Sequence, residues 1–331
     1  MGKMKQASRK KTMRLFANLS YFIIFLTTVG YAQEGILIIR NSGKAFEEAV
    51  QGLKDDIDAD LSIKEIILQN EAPMRDFSKA LITNQPAILV LMDNLAINTY
   101  KRLLQEPTNS FQEIPSVSLM AIYLDKVIEG LTNATGIRYE IPAVVSGVNL
   151  RSISSKSIKK IGVVYREIMS DFFEENVELC KQEELELVGV RLSNSLKGKK
   201  DQIRKALKKL SVNEKVDALW ILNDNVLLNH NLLKEVWLPE LPKYKIPKIV
   251  GVEILVSSRL DFGTFAVLPD HYALGKQAAE LIYDILENGD SPSPPPIEQP
   301  LSVVKILNMK QAKKVLKLDK SKLANIDKII E

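Results

Sequence analysis

The segment Phe265–Leu286, FAVLPDHYALGKQAAELIYDIL, predicts a strand, a tight polar turn and a helix in direct succession. Its first four residues form an apolar run of strand length, which Pro269-Asp270 ends. Asp270 is a residue type that caps helices, and the apolar positions of the helix recur at helical spacing, at Leu274, Ala278, Leu281, Ile282 and Ile285. Because ligands of open α/β sheets lie beyond the carboxyl ends of the strands, this turn is a candidate binding position.

Strand-like apolar runs alternate with helical segments along the rest of the chain. The pattern predicts parallel sheets built from βαβ units, and therefore an α/β fold. The predicted strands are Gly35–Ile39, Ile63–Leu68, Ala87–Met92, Ser116–Met120, Lys160–Tyr165, Glu186–Arg191, Val216–Leu222, Ile246–Val252 and Leu301–Leu307. A turn-rich stretch at Leu131–Pro142 separates the first four strands from the others, so we expect two Rossmann-like lobes.

Three pieces of the sequence resemble one known family. The strand that runs into P-D-x-Y-x-L-G-x-Q-A-A-E-L at 269–281 resembles the ABC transporter substrate-binding proteins that include tryptophan- and tyrosine-binding members. The Asn-x-Thr-Gly core at 133–136, and the Val-Asp-Ala strand from 216 that ends in Asp-Asn at 224–225, are similar to further parts of that family. The resemblance implies a type I periplasmic binding protein fold, with a ligand cleft between lobes that crossover strands join. It also implies an ABC permease of the inner membrane as a partner.

The resemblance and the strand pattern together predict discontinuous lobes. We expect the first lobe at 33–137 plus 264–290, because the strand–helix unit at 265–286 resembles the family's returning segment. The second lobe is then 138–263 plus 300–331. Between these parts, residues 288–300 hold five prolines and predict an extended connector.

Residues 1–32 predict a secretory signal peptide. They carry six basic residues and no acidic one, and an apolar run at Leu19–Val29 precedes Gly30-Tyr31-Ala32. We therefore expect export, cleavage after Ala32 and a periplasmic location; an uncleaved membrane anchor is the alternative. A cysteine is absent near the cleavage position, so the sequence does not indicate a lipoprotein, and the single Cys180 excludes an internal disulfide.

Charge and motif content argue against two broad classes of function. Without the six basic residues of the leader, 39 of the 45 basic residues remain against 41 acidic ones, so the body lacks the positive charge of a nucleic-acid binder. The sequence holds no G-x-S-x-G elbow, no P-loop and no G-x-G-x-x-G after the first strand. Two histidines and one cysteine cannot form a metal site of ordinary spacing. We expect a monomeric protein that is not an enzyme and needs no cofactor.

Polar residues follow the predicted strands of both lobes. The candidate ligand-binding residues are Asn41, Ser42, Asp93, Asn94, Tyr165, Asn223, Asp224, Asn225, Glu253 and Asp270. Tyr123, Arg166, His271 and Tyr272 lie on the same turns. Carboxylates suit a cationic group and helix amides suit an anion, so an amino-acid zwitterion fits the set, with Tyr165 available for stacking.

These observations predict a periplasmic solute-binding protein of an ABC-type importer that closes on a small molecule by a hinge movement. The alternative is a periplasmic sensor that passes closure to a membrane receptor. Asp224 is the first candidate for a ligand's ammonium group, because it follows the most apolar strand of the second lobe. A role as cap of a helix at Val226–Val236 is the alternative for this residue.

Overall fold

A computed structural model describes residues 35–59, 61–68, 73–107, 111–195, 197–287 and 294–331. The predicted signal peptide lies outside these residues, as does the first part of the proline-rich connector. Within the described ranges, no helix is both long and apolar enough to cross a membrane.

Five parallel strands form the sheet of the first lobe, in the order β2-β1-β3-β4-β5. The strands are β1 (Gly35–Arg40), β2 (Ser62–Ile67), β3 (Ile88–Met92), β4 (Ser116–Leu119) and β5 (Ala134–Gly136). Successive side chains of β1 enter two different cores, Ile36 and Ile38 on one face and Leu37 and Ile39 on the other. Helices therefore cover both faces of this sheet, which explains why its central strands are apolar throughout.

Seven strands form the second sheet, in the order β12-β11-β10-β9-β8-β6-β7. They are β6 (Lys160–Arg166), β7 (Glu186–Leu192), β8 (Ala218–Ile221), β9 (Lys248–Val250), β10 (Phe265–Pro269), β11 (Val303–Asn308) and β12 (Lys328–Ile330). Strands β6 to β10 are parallel to one another, whereas β11 runs antiparallel to β10.

The helices follow the strands in alternation, as the sequence pattern predicts. They are α1 (Lys44–Asp56), α2 (Pro73–Asn84), α3 (Asn94–Gln105), α4 (Leu124–Val127), α5 (Ala143–Ile153), α6 (Ser170–Gln182), α7 (Lys199–Lys208), α8 (His230–Leu232), α9 (Leu238–Glu240), α10 (Glu253–Val256), α11 (His271–Glu287) and α12 (Met309–Val315). Single-turn π-helices at Lys209–Asn213 and Leu233–Trp237 extend α7 and α8. Short 3₁₀ segments lie at Glu167–Met169, Leu241–Lys243 and Lys320–Asn325.

The expectation that the strand at 265–269 belongs to the first lobe is wrong. This strand, β10, pairs with β9 and β11 in the second sheet, where Phe265 is opposite both Ile249 and Leu307. The following helix α11 does pack on the first lobe, against α1. A Cβ at Gly275 would lie 1.9 Å from the backbone oxygen of Ala49, so glycine permits this close approach. The chain therefore changes lobe inside the turn between β10 and α11, not before the strand.

Three crossover segments connect the lobes, and they run side by side. The first follows β5, the second is the turn between β10 and α11, and the third precedes β11. Arg138 N donates to Glu298 O at 3.0 Å, and Glu298 N donates to Gly136 O at 2.9 Å, so the first and third crossovers are hydrogen-bonded. On the second crossover, Asp270 N donates to Ser302 O at 3.1 Å, so this crossover is hydrogen-bonded to the third. The two lobes with parallel sheets and joining crossovers are confirmed.

Candidate ligand site between the lobes

A cavity of about 250 Å³ lies where residues of both lobes and the first crossover meet. The residues that line it are Tyr123, Asp125 and Lys126 from the first lobe, Arg138 and Glu140 from the crossover, and Ile168, Asp171, Phe172 and Glu175 from the second lobe. Four carboxylates and two cationic side chains are in this lining. The cavity therefore favours a ligand that carries positive charge together with an apolar part.

Glu140 is the buried acid of this site. The residue is only 6% exposed, and its Oε1 accepts a hydrogen bond from Tyr123 N at 2.8 Å. Burial raises the pKa of Glu140 to about 7, and the charge of Asp125 acts in the same direction. Glu140 also lines a much smaller cavity beside Trp220, Asn223 and Gly251. A cationic group next to Glu140 would restore its ionised form, so the residue is suited to an ammonium group.

Arg166 and Asp224 form a buried ion pair on the second lobe. Arg166 Nε lies 2.6 Å from Asp224 Oδ2, and the two side chains are 14% and 1% exposed. The other oxygen, Asp224 Oδ1, accepts hydrogen bonds from Val226 N at 2.8 Å and Leu227 N at 3.3 Å. Both oxygens of Asp224 are thus engaged, but Asp224 does not cap the predicted helix at Val226–Val236. Residues 225–228 form a turn, and α8 begins at His230 with Asn229 as its cap. The two terminal amino groups of Arg166 have no hydrogen-bond partner among the described residues, so the guanidinium is the group left to meet a ligand.

Two buried polar atoms near this ion pair lack a partner in the described part of the chain: Tyr123 Oη and Asn223 Oδ1. Burial raises the pKa of Tyr123, and the charges of Asp224 and Glu140 raise it further, which places the phenol close to both acids. Tyr123 also has a left-handed backbone at φ 59°, a strained conformation for a tyrosine. Unsatisfied buried polar atoms are rare in proteins. Tyr123 and Asn223 each line a cavity that Glu140 also lines.

Ion pairs connect the lobes around the cavity. Lys126 Nζ of the first lobe lies 3.2 Å from Asp171 Oδ2 of the second. Arg138 binds Asp125 through Nε and Nη2, both at 2.9 Å, and Glu175 through Nη1 at 2.8 Å. Arg138 therefore joins an acid of each lobe from its position on the first crossover.

Several predicted residues support the site without lining the cavity. Asn94 Nδ2 donates to Ile122 O at 2.7 Å and Asn94 Oδ1 accepts from Ile122 N at 2.8 Å, which holds the loop that carries Tyr123. Asp93 caps α3 by accepting from Leu95 N and Ala96 N, and the Asn41 side chain hydrogen-bonds to it. Burial raises the pKa of Asp93, and these hydrogen bonds oppose that change.

The structure places the remaining predicted residues outside the cavity. The Tyr165 ring is not available to stack on a ligand, because its centroid lies 4.4 Å from that of the Phe173 ring in the hydrophobic core of the second lobe. Side chains alternate along β6, so Arg166 points to the opposite face. Ser42, Asn225 and Glu253 are exposed, and Glu253 pairs with Lys328. Asp270 caps α11 by accepting from Ala273 N at 3.2 Å, as its sequence position predicts.

His271 lies on the crossovers and not in the cavity. Its Nε2 is 3.0 Å from Tyr139 Oη, so the second crossover contacts the first. Burial lowers the pKa of His271, and Glu48, whose Oε2 is 3.6 Å from Nδ1, opposes that change. Among the residues with described positions, no group of three or more His, Cys, Asp or Glu side chains could hold a metal ion.

Solved structures share this architecture. An ABC domain in complex with L-Trp from Streptococcus pneumoniae is 17% identical, covers 90% of this chain and 100% of its own, and has a TM-score of 0.58. A ligand-free, open substrate-binding protein with adhesive properties from Clostridium difficile is 17% identical, with coverage of 90% and 99% and a TM-score of 0.60. A conserved domain protein from Vibrio cholerae is 18% identical, with the same coverage and a TM-score of 0.56. No protein-family model and no curated protein sequence matches the chain. The chain has the type I periplasmic binding protein fold.

Proposed function

We propose that the protein is a periplasmic solute-binding protein of an ABC-type importer and that it binds a small zwitterion, such as an amino acid, between its lobes. The observation that carries the proposal is that a guanidinium with free terminal amino groups and a buried carboxyl both lie next to Tyr123, which lines the interlobe cavity. Arg166 supplies the first group and Glu140 the second. The names of similar structures, which include an L-Trp complex and a substrate-binding protein, support the same role.

Each end of a zwitterion has a complementary group in this proposal. The terminal amino groups of Arg166 bind the ligand carboxylate in a bidentate manner, since Asp224 already holds the Nε side of the guanidinium. The Glu140 carboxylate accepts hydrogen bonds from the ligand ammonium group. Tyr123 Oη and Asn223 Oδ1, which lack partners within the described chain, complete the polar contacts.

The apolar part of the ligand lies against aromatic side chains. Phe172 lines the cavity, and its ring centroid is 6.0 Å from that of Trp220 on β8. A cavity of about 250 Å³ is slightly smaller than ordinary ligand pockets, which span roughly 300–1,000 Å³. The ligand is therefore a single amino acid or a molecule of similar size, and not a peptide or an oligosaccharide.

Binding drives hinge closure by population shift. A ligand held by Arg166 of the second lobe and Tyr123 of the first binds the closed arrangement more tightly than the open one. The side-by-side crossovers at Gly136–Arg138 and Glu298 are the hinge. A permease of the inner membrane would then recognise the closed form. Export follows the same proposal, with cleavage after Ala32 and a monomeric mature protein.

A thermal-shift screen of the purified protein against the standard amino acids tests the proposal. A ligand at 100 times its dissociation constant stabilises the folded state by about 2.7 kcal/mol, which a melting curve detects readily. We expect one amino acid or a few related ones to raise the melting temperature. A shift with neutral sugars alone would leave a binding cleft but contradict the zwitterion assignment, and no shift with any small solute would contradict the binding function.

A further inference from the structure

A second cavity, of about 600 Å³, lies on the second lobe at the edge of the sheet opposite the cleft. It is next to the amino-terminal end of β9, where Lys248 begins the strand, and to the carboxyl end of the antiparallel strand β11. Its apolar walls come from Leu238, Leu241, Pro242, Leu260, Phe262 and Val315. None of its lining residues belongs to the interlobe cavity, so it is a separate feature.

Lys248 is the unusual residue of this cavity. It is only 4% exposed, and no described residue accepts a hydrogen bond from its ammonium group. Burial lowers the pKa of Lys248 to about 8, and Lys314 lowers it further while Asp261 opposes the change. Buried ammonium groups in proteins are normally paired or hydrogen-bonded, because an isolated one is strongly unfavourable.

The single acid of the cavity lining does not serve as that partner. Asp261 Oδ2 lies 2.7 Å from Lys310 Nζ and 3.8 Å from Lys314 Nζ. Its backbone oxygen accepts from Gln311 Nε2 at 2.8 Å, which fixes the residue to α12. The lining contains Lys245, Lys248 and Lys314 against this one acid, so the cavity has a net positive charge.

We infer that this cavity is a binding site for a small amphipathic carboxylate, separate from the interlobe site. The carboxylate group pairs with Lys248 Nζ, and the apolar body lies against Leu241 and Phe262. A monoanion fits better than a phosphate, because phosphates are held by several donors or an arginine fork, and no arginine lines the cavity.

Calorimetric titration with octanoate, octan-1-ol and octylammonium tests the assignment on the unmodified protein. These probes share one apolar chain and differ in charge. We expect octanoate to bind about tenfold or more tightly than octanol, as a charge-assisted hydrogen bond in a buried site predicts, and octylammonium to bind least tightly. Equal affinities for the three probes, or no octanoate binding, would overturn the inference.

Lys248→Met is the decisive variant, because methionine keeps the apolar stem and removes the charge. It should lose about tenfold or more in octanoate affinity and leave octanol affinity unchanged. Lys243→Met, an exposed lysine of the neighbouring segment that pairs with Glu240, is the matched control and should bind octanoate as the unmodified protein does. A melting curve of Lys248→Met shows whether it folds, and if it does not, the order of the three probes on the unmodified protein decides the question. Unchanged octanoate affinity in a folded Lys248→Met protein would assign Lys248 to the fold alone.

Discussion

Replacing Glu140 by Gln should stabilise the ligand-free protein and weaken ligand binding at the same time. Glutamine keeps the shape and can still accept the hydrogen bond from Tyr123 N. Burial raises the pKa of Glu140 from its usual 4.5 to about 7, and at 1.36 kcal/mol per pKa unit this shift corresponds to roughly 3 kcal/mol.

The sign of the effect follows from proton binding. Between pH 4.5 and 7 the folded protein holds a proton on Glu140 that the unfolded chain has released, so the stability of the unmodified protein falls as pH rises through this window. The stability advantage of Glu140→Gln should therefore grow by roughly 3 kcal/mol between pH 4 and pH 8. Ligand affinity at pH 8 should fall about 10- to 100-fold, because a charge-assisted hydrogen bond to the ammonium group is lost.

Chemical denaturation at several pH values and calorimetric titration measure the two effects. Glu253→Gln is the control, because this acid is exposed and does not line the cavity, and it should alter neither quantity. A stability difference that stays constant from pH 4 to pH 8 would refute the reasoning about burial. An unchanged ligand affinity would refute the role of Glu140 as the ammonium partner.

Three further changes test other parts of the structure. Asp224→Asn leaves Arg166 buried without its ion pair, so unfolding experiments should show a loss of about 3 kcal/mol along with weaker ligand binding, whereas the exposed neighbour Asn225→Ala should change both little. Lys248→Met should raise the free energy of unfolding at pH 7 by roughly 3 kcal/mol. This gain should shrink between pH 8 and pH 10.5, because in that range the folded unmodified protein has released the Lys248 proton that the unfolded chain still holds. A gain that stays constant with pH would contradict a buried ammonium group. Gly275→Ala should lower the free energy of unfolding by about 1–3 kcal/mol, and with it the melting temperature, because the new Cβ meets the backbone of α1. An unchanged melting curve would contradict the contact between α11 and α1.

Most of the strands could be predicted from the sequence because they are continuous apolar runs. The prediction at Gly35–Ile39 ends one residue before β1 does, and that at Lys160–Tyr165 ends one residue before β6. The sheet to which Phe265–Pro269 belongs could not be predicted in this way. Strand and helix are adjacent in sequence, but the strand pairs with residues near 249 and 307, and pairing partners so far along the chain leave no local pattern.

The candidate site was predicted in part. The turn at Asn223-Asp224 comes one residue after the buried strand β8, and this position relative to a strand end can be read from the sequence. The sequence places Tyr165 and Arg166 at the same strand end, and the alternation of side chains along a strand favours Arg166 over the buried Tyr165 as the residue that faces a ligand. Glu140 was missed because it lies on a crossover and not after a strand; the one available signal was an acid between Tyr139 and Ile141, both apolar neighbours.

Calorimetric titration with a matched set of ligands tests the central proposal most directly. The set is the amino acid that gives the largest thermal shift, the corresponding amine without the carboxylate, and the corresponding acid without the ammonium group. If Arg166 and Glu140 hold the two ends of a zwitterion, each single-charge analogue should bind about 10- to 100-fold more weakly than the amino acid. An analogue that binds as tightly as the parent amino acid would contradict the proposed site.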